Sequence, residues 1–188
     1  MILGVGNMPS NRLALTNRVY LSPSIHAFLL EALGPESNGP PLVLVGTHAY
    51  VAEPNSDVPE DKIALNGLQR RFAQLSLANK VEVRPFRPPP NYALATMEVL
   101  VDLLAKKSAG GGPPREIDTD RLASDFMMNF EGQVFEVGQV VAMDFEGTKL
   151  ELTTSVVNQM DLNGHKKSDE LVRSDDGTRL GSFQLQRC

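Results

Sequence analysis

The chain has 188 residues, 41% hydrophobic and 22% charged, with a formal net charge of −5. That length suits one domain or two small ones, and the composition is ordinary for a soluble globular protein. It excludes a membrane-spanning helix, because no stretch approaches the roughly 20 apolar residues one needs. A secretory leader is not expected either: Met1–Val5 is short and Asn7, Pro9 and Asn11 follow at once.

From the N-terminus, residues 12–21 mix alternation with β-branched side chains and predict a strand, stopped by Ser22 and Pro23. Residues 25–33 suit one or two helical turns. Residues 42–45 and 48–51 predict two strands separated by Gly46, and 53–61 a loop. A short strand at 62–65 leads into LNGLQRRFAQLSL (65–77), where Asn66 and Gly67 break the strand pattern and a short amphipathic turn follows. Its spacing turns Leu68, Phe72 and Leu75 inward and Arg70 and Arg71 toward solvent, a fixed basic surface rather than a reaction centre. Residues 81–84 alternate as a strand does. Pro85–Pro90 then holds three consecutive prolines, which continue neither a helix nor a central strand, and predicts a stiff linker between domains.

Residues 92–107 are ambiguous by composition and periodicity, between helix and strand. Gly110–Pro114 reads as a loop. Residues 118–130 give the clearest helix, with Leu122, Ala123, Phe126, Met127 and Phe130 on one face and Asp118, Thr119 and Asp120 at its start. Strands are expected over 133–152 around Gly138 and a Glu146–Gly147 turn, a loop over 158–178, and a returning strand over 179–186.

The net charge conceals an asymmetry. Residues 62–107 carry eight basic and three acidic side chains, whereas 116–161 carry ten acids and two bases. Such a distribution steers oriented binding to an acidic partner, although two solvated faces would give the same count. Few residues point to chemistry. His26, His48 and His165 are not at metal-ligand spacing, and the one cysteine, Cys188, can form no disulfide within the chain, which fits a reducing, intracellular setting. Neither Gly110–Pro114 nor Gly164–Ser168 has the pattern of a phosphate loop, and there is no nucleophile elbow. The pairs Asp118/Asp120 and Asp175/Asp176 suit caps and turns. With 6% aromatics, no Trp and an acidic pI, a stacking nucleic-acid groove is not expected. No catalytic, cofactor-binding or metal-binding residue is assigned.

Four stretches, NRLALTNRVYLSP (11–23), DKIALNGLQRRFAQLSLANKVEVRPF (61–86), ALATMEVLVDLLAKK (93–107) and IDTDRLASDFMMNFEGQVFEVGQVVAMDFEGTKLELTTSVV (117–157), resemble in order and spacing the N-terminal domain of the NSF family, the N-ethylmaleimide-sensitive factors and their fungal secretory counterparts. The resemblance implies a mixed β and α/β fold: a double-psi β-barrel over 1–85, a Pro-rich linker over 86–91, and a small α/β subdomain over 92–188 with a C-terminal tail strand and a groove between the two. It also implies that 93–105 is a strand. In function it implies a domain that recruits the adaptor SNAP bound to a SNARE complex, which downstream ATPase rings then pull apart. The adaptor-binding residues carried over are Arg70, Lys106 and Lys107, with Arg71 at a position that is also basic in the family. ATP, Mg and hexamer formation would belong to those downstream modules, and no ATP hydrolysis is expected from this chain. The setting implied is cytoplasmic, with recruitment to membranes through the adaptor and no direct insertion. Met1–Ser10, the Pro/Gly-rich insert at 29–41 and residues 158–178 depart from the family pattern. Two other readings share the barrel: the N-domain of a segregase for ubiquitinated clients, which fits the second half less well, and a self-processing decarboxylase, whose Gly-Ser cleavage site is found only at Gly181–Ser182, near the end of the sequence.

Overall fold

The computed structural model describes residues 1–34, 40–88, 94–104, 117–159 and 180–182. Among these, six strands close into a barrel: β1 (Ile2–Gly6), β2 (Val19–Leu21), β3 (Leu42–Val45), β4 (His48–Pro54), β5 (Lys62–Ala64) and β6 (Lys80–Phe86), in the order β1-β5-β2-β4-β3-β6. The pairs β1–β5 and β2–β4 are parallel and the rest antiparallel. A closed barrel thus stands where a double-psi barrel was expected.

Two parts of the barrel differ from the sequence reading. β1 lies in the N-terminal stretch for which no strand was read, yet its alternate residues Leu3 and Val5 are buried. Of the strand expected over 12–21, only β2 forms. Residues Leu13–Leu15 make a 3₁₀ turn, closed by the Thr16 hydroxyl donating to the Leu13 carbonyl at 2.8 Å, and Asn17 takes a left-handed φ of 52°. Asparagine tolerates that region, and it re-aims the chain into the barrel. β6 runs through Pro85, which is paired with Val43 of β3 only, since the β1 pairing has ended by Glu82. Proline is tolerated there because one edge of the strand is no longer paired.

The helix α1 (Pro23–Leu33) begins at Ser22, whose hydroxyl accepts from the Ile25 N–H, with Pro23 in the first helical position. It buries Leu29 and Leu33. The Arg87 guanidinium donates to its last carbonyl, on Leu33. The second helix, α2 (Gly67–Phe72), carries the two arginines.

Beyond the barrel, β7 (Leu94–Leu103), β9 (Val140–Phe145) and β10 (Thr148–Gln159) form an antiparallel sheet in the order β7-β10-β9, while β8 (Val134–Glu136) pairs with β11 (Leu180–Ser182). Residues 94–103 are a strand, as the resemblance implied against their mixed composition. Glu146 (φ 50°) and Gly147 (φ 75°) form the two-residue hairpin between β9 and β10. Positive φ at both positions is the turn whose twist matches the flanking strands. The helix α3 (Thr119–Asn129) is capped by Asp118, which accepts from the Asp120 and Arg121 N–H groups, each at 3.1 Å. Its buried face is narrower than the sequence suggested. Leu122 and Phe126 are buried, as is the capping Phe130, but Ala123 and Met127 are exposed.

Two large apolar clusters result. One fills the barrel with Leu3, Val5, Val19, Leu21, Val43, Val45, Tyr50, Ile63, Leu65 and Val83 among others. The other packs α3 and Phe135 against Val141, Met143, Leu150 and Leu152 of the sheet. Phe86 pairs with Leu42 inside the barrel, and the rest of the expected linker beyond Pro88, together with the Gly110–Pro114 loop, His165 and Cys188, lies outside the described residues. No described helix is long and apolar enough to cross a membrane.

Candidate interaction surface

The sequence Asn66-Gly-Leu-Gln69 explains why α2 forms although it is only six residues long. The Asn66 side chain accepts from the Gln69 N–H and the Gln69 side chain accepts from the Asn66 N–H, both at 2.8 Å. This reciprocal cap satisfies two donors that a helix start leaves open. The remaining amide groups reach back to the segment before β2. Asn66 Nδ2 donates to the Ala14 carbonyl at 2.9 Å, and Gln69 Nε2 to the Arg18 carbonyl at 3.2 Å. Both residues are buried, and of the four hydrogen bonds their side chains make, two close the helix start and two fix it to the barrel.

On this base the two arginines behave differently. Arg70 is half-buried, not fully turned to solvent: Nη1 donates to the Leu65 carbonyl at 2.6 Å and to Asn7 Oδ1 at 3.2 Å. Arg71 is exposed and its Nη2 lies 3.3 Å from Oε1 of Glu151 on β10. Leu68, Phe72 and Leu75 are partly buried, and the fully buried side chain of the helix is Gln69. Lys106 and Lys107 lie outside the described residues. Leu104, the last described residue before them, donates its N–H to the Lys149 carbonyl at 3.0 Å, holding the end of β7 beside the start of β10.

Polar contacts join the two halves beneath α2. Asn17 Nδ2 donates to Gln133 Oε1 at 3.1 Å, Gln133 Nε2 donates to the Thr16 carbonyl at 2.9 Å, and Gln139 Nε2 reaches Asn17 Oδ1 at 3.4 Å. Glu136 is buried, with one carboxylate oxygen 2.9 Å from His48 Nδ1 and the other accepting from the Ala49 N–H at 3.3 Å. The His48 ring packs tilted against Phe72, centroids 4.6 Å apart. Gly138, at φ +85°, faces the same Phe72 ring, which a Cβ there would approach to 3.8 Å. Apolar contacts continue across the junction, where Val134 packs with Leu44 and Ala49.

The electrostatics follow burial. Burial first, and Glu136 second, push the Tyr50 phenol well above its ordinary range, and its hydroxyl has no hydrogen-bond partner among the described residues. Tyr20 is raised as well, mainly by burial, with the Thr16 hydroxyl at 3.0 Å acting the other way. Neither group is placed for proton transfer. No described cluster of His, Cys, Asp or Glu could hold a metal ion. What the arrangement can do is hold cations and hydrogen-bond donors at fixed positions on a rigid base.

Sequence reasoning located Arg70 and Arg71 but missed Asn66, Gln69 and Glu151. The Asn-x-x-Gln spacing after a strand is a legible cap signal. Glu151, 80 residues from Arg71, leaves none.

No family model matches the sequence. It is 30% identical over 178 residues to a vesicle-fusing ATPase of Arabidopsis thaliana, covering 92% of this chain and 22% of that protein. It is 25% identical over 161 residues to the vesicular-fusion protein SEC18 of Saccharomyces cerevisiae, covering 85% of this chain and 20% of SEC18. A vesicle-fusing ATPase of Caenorhabditis elegans is 31% identical over 101 residues, 53% of this chain and 12% of that protein. The chain therefore spans at most about a fifth of the length of the curated relatives it matches. With a closed barrel followed by an α/β unit, it is a relative of the vesicle-fusing ATPases, matching a part of them consistent with the N-terminal domain.

Proposed function

We propose that this chain is the adaptor-binding N-domain of an ATPase that disassembles SNARE complexes in vesicle fusion. Its α2 surface, with Arg70 and Arg71, binds SNAP, and Lys106 and Lys107 contribute to the same contact. The observation that carries this reading is the construction of α2. A six-residue helix with adjacent arginines is closed by a reciprocal cap and fixed to the barrel by two amide hydrogen bonds, in a chain related to vesicle-fusing ATPases. Prepositioned cations reduce the ordering cost of binding, and charged rims act mainly on association rate and salt sensitivity. The barrel and the α/β unit form two subdomains divided near Pro88. ATP, Mg and hexamer formation belong to modules outside this chain, which itself hydrolyses no ATP. The protein acts in the cytoplasm and reaches membranes through its adaptor.

The test is binding of the full-length protein to SNAP loaded on a SNARE complex, across a series of salt concentrations. Arg70→Glu, Arg71→Glu and Lys106→Glu/Lys107→Glu are each expected to weaken binding and flatten its salt dependence. Wild-type affinity and salt dependence in all three would overturn the assignment of this surface.

A further inference from the structure

Of the two arginines on α2, only Arg71 faces an anion among the described residues. Its guanidinium is 3.3 Å from the Glu151 carboxylate, with the two side chains 64% and 28% exposed. The register of the sheet sets Asp102 of β7 directly across from Glu151 of β10. Residues directly opposite one another in an antiparallel pair share a face, and like charges there repel. Arg71 thus sits on the inner carboxylate of the two, while Asp102 accepts from the Leu103 N–H at 2.8 Å. Arg70 differs in kind: its donors go to a carbonyl and a carboxamide, both neutral, so its charge is not offset by its contacts.

An acidic partner that engages Arg71 must draw it from Glu151, and leaves that carboxylate without the guanidinium it pairs with. We infer that Glu151 is a built-in competitor for the adaptor: it holds Arg71 in an internal ion pair and sets how strongly the α2 surface takes an acidic partner. This rests on the adaptor-binding reading proposed above. The pair is a single contact, solvated on the Arg71 side, so a partner that offers several carboxylates at once meets the cost of opening it, and one that offers a single charge does not. Opening the pair costs the same for every partner that takes Arg71, so Glu151 lowers all such affinities by one factor and leaves a weak single-charge contact the least populated.

The experiment uses the full-length protein and SNAP loaded on a SNARE complex. Glu151→Gln keeps the side chain's size and removes its charge, and Glu151→Ala removes the side chain's reach as well. Both are expected to tighten binding by about 1.5- to 5-fold, the range of an exposed ion pair that no longer has to be broken. The gain should shrink as salt is raised, and it should largely vanish in an Arg71→Ala background. Glu31→Gln, exposed on α1, makes the same change in net charge and should leave binding unchanged. Unaltered or weaker binding by both Glu151 variants, while Arg70→Glu and Arg71→Glu weaken it, would overturn the competitor role and leave the adaptor surface standing. Equal tightening by Glu31→Gln would also overturn it, as an effect of net charge alone. Wild-type binding by Arg70→Glu and Arg71→Glu would remove the surface, and Glu151's part in it.

Discussion

The two apolar cores and the junction between them are held by different physics. The barrel core is almost wholly aliphatic, and the α/β core is built on Phe126, Phe130 and Phe135 with centroids 4.7 to 6.0 Å apart. The junction buries Asn17, Gln133, Glu136 and Gln139, each less than a tenth exposed. Apolar burial is non-directional and scales with area. A buried amide is satisfied in few arrangements and is costly in the others. The difference teaches a division of labour: the cores supply most of the stability, and the junction selects the one orientation in which α2 lies over β9 and Arg71 meets Glu151.

The sharpest way to break this comparison is to remove one side chain from each region. Phe130 is fully buried, tilted against Phe126 and edge-on to Phe135. Phe130→Ala should cost about 3–5 kcal/mol in urea unfolding. Gln133→Ala should cost less, about 1–3 kcal/mol, because it leaves Asn17 Nδ2 and the Thr16 carbonyl without their partner. The junction variant should also lower the cooperativity of unfolding, as the two halves lose their shared contacts. A Gln133→Ala loss as large as that of Phe130→Ala, with an unchanged denaturant slope, would show the amides to be stabilising in the same sense as the cores.

The same difference explains what was legible in sequence. The Asp118 cap and the Glu146–Gly147 turn carry local signals, and so do the apolar runs of β3 and β4. All were read with bounds close to those found. Within α3 the inward face was overdrawn, because Ala123 and Met127 fit the helical period but sit at its edge. Leu94–Leu103 needed the family resemblance, since β7 lies at the edge of its sheet among the described residues and its burial does not alternate cleanly. The junction was not legible. Asn17, Gln133 and Gln139 were read only as members of expected strands, and what buries them is a contact spanning 116 or more positions. Of the expected binding residues, Arg70 and Arg71 share one short helix, but the sequence did not separate their roles, because backbone carbonyls and Glu151 decide them.

Those roles give the next, smaller effect. Arg70→Ala removes a donor from the Leu65 carbonyl and should cost about 1 kcal/mol. Arg71→Ala breaks an exposed pair and should stay within about 0.5 kcal/mol. Thermal unfolding of the two variants side by side checks the order. An Arg71 loss exceeding that of Arg70 would mean that the ion pair to Glu151 holds α2 more firmly than the Arg70 contact with the Leu65 carbonyl.

The smallest change at neutral pH is expected from Tyr50→Phe, in the barrel core next to the junction. The Tyr50 hydroxyl is buried without a partner among the described residues, so its removal should shift stability by less than about 1 kcal/mol at pH 7, and toward greater stability. The variant is more informative in alkali. The folded state keeps the Tyr50 proton above the ordinary value of 10.0, because burial and the Glu136 carboxylate both oppose the phenolate. The unfolded chain releases that proton near pH 10. Fewer protons on the unfolded state mean that stability falls as pH rises, so Tyr50's contribution is complete below about pH 10 and is lost above it. Tyr20, raised in the same direction, adds to the fall. Urea unfolding of wild type and Tyr50→Phe at pH 7 and about pH 11 should therefore show a shallower alkaline loss in the variant, with the Tyr20 part remaining. An identical loss in both proteins would mean that Tyr50 ionises in the folded barrel as readily as in the unfolded chain, and that the junction above it admits water.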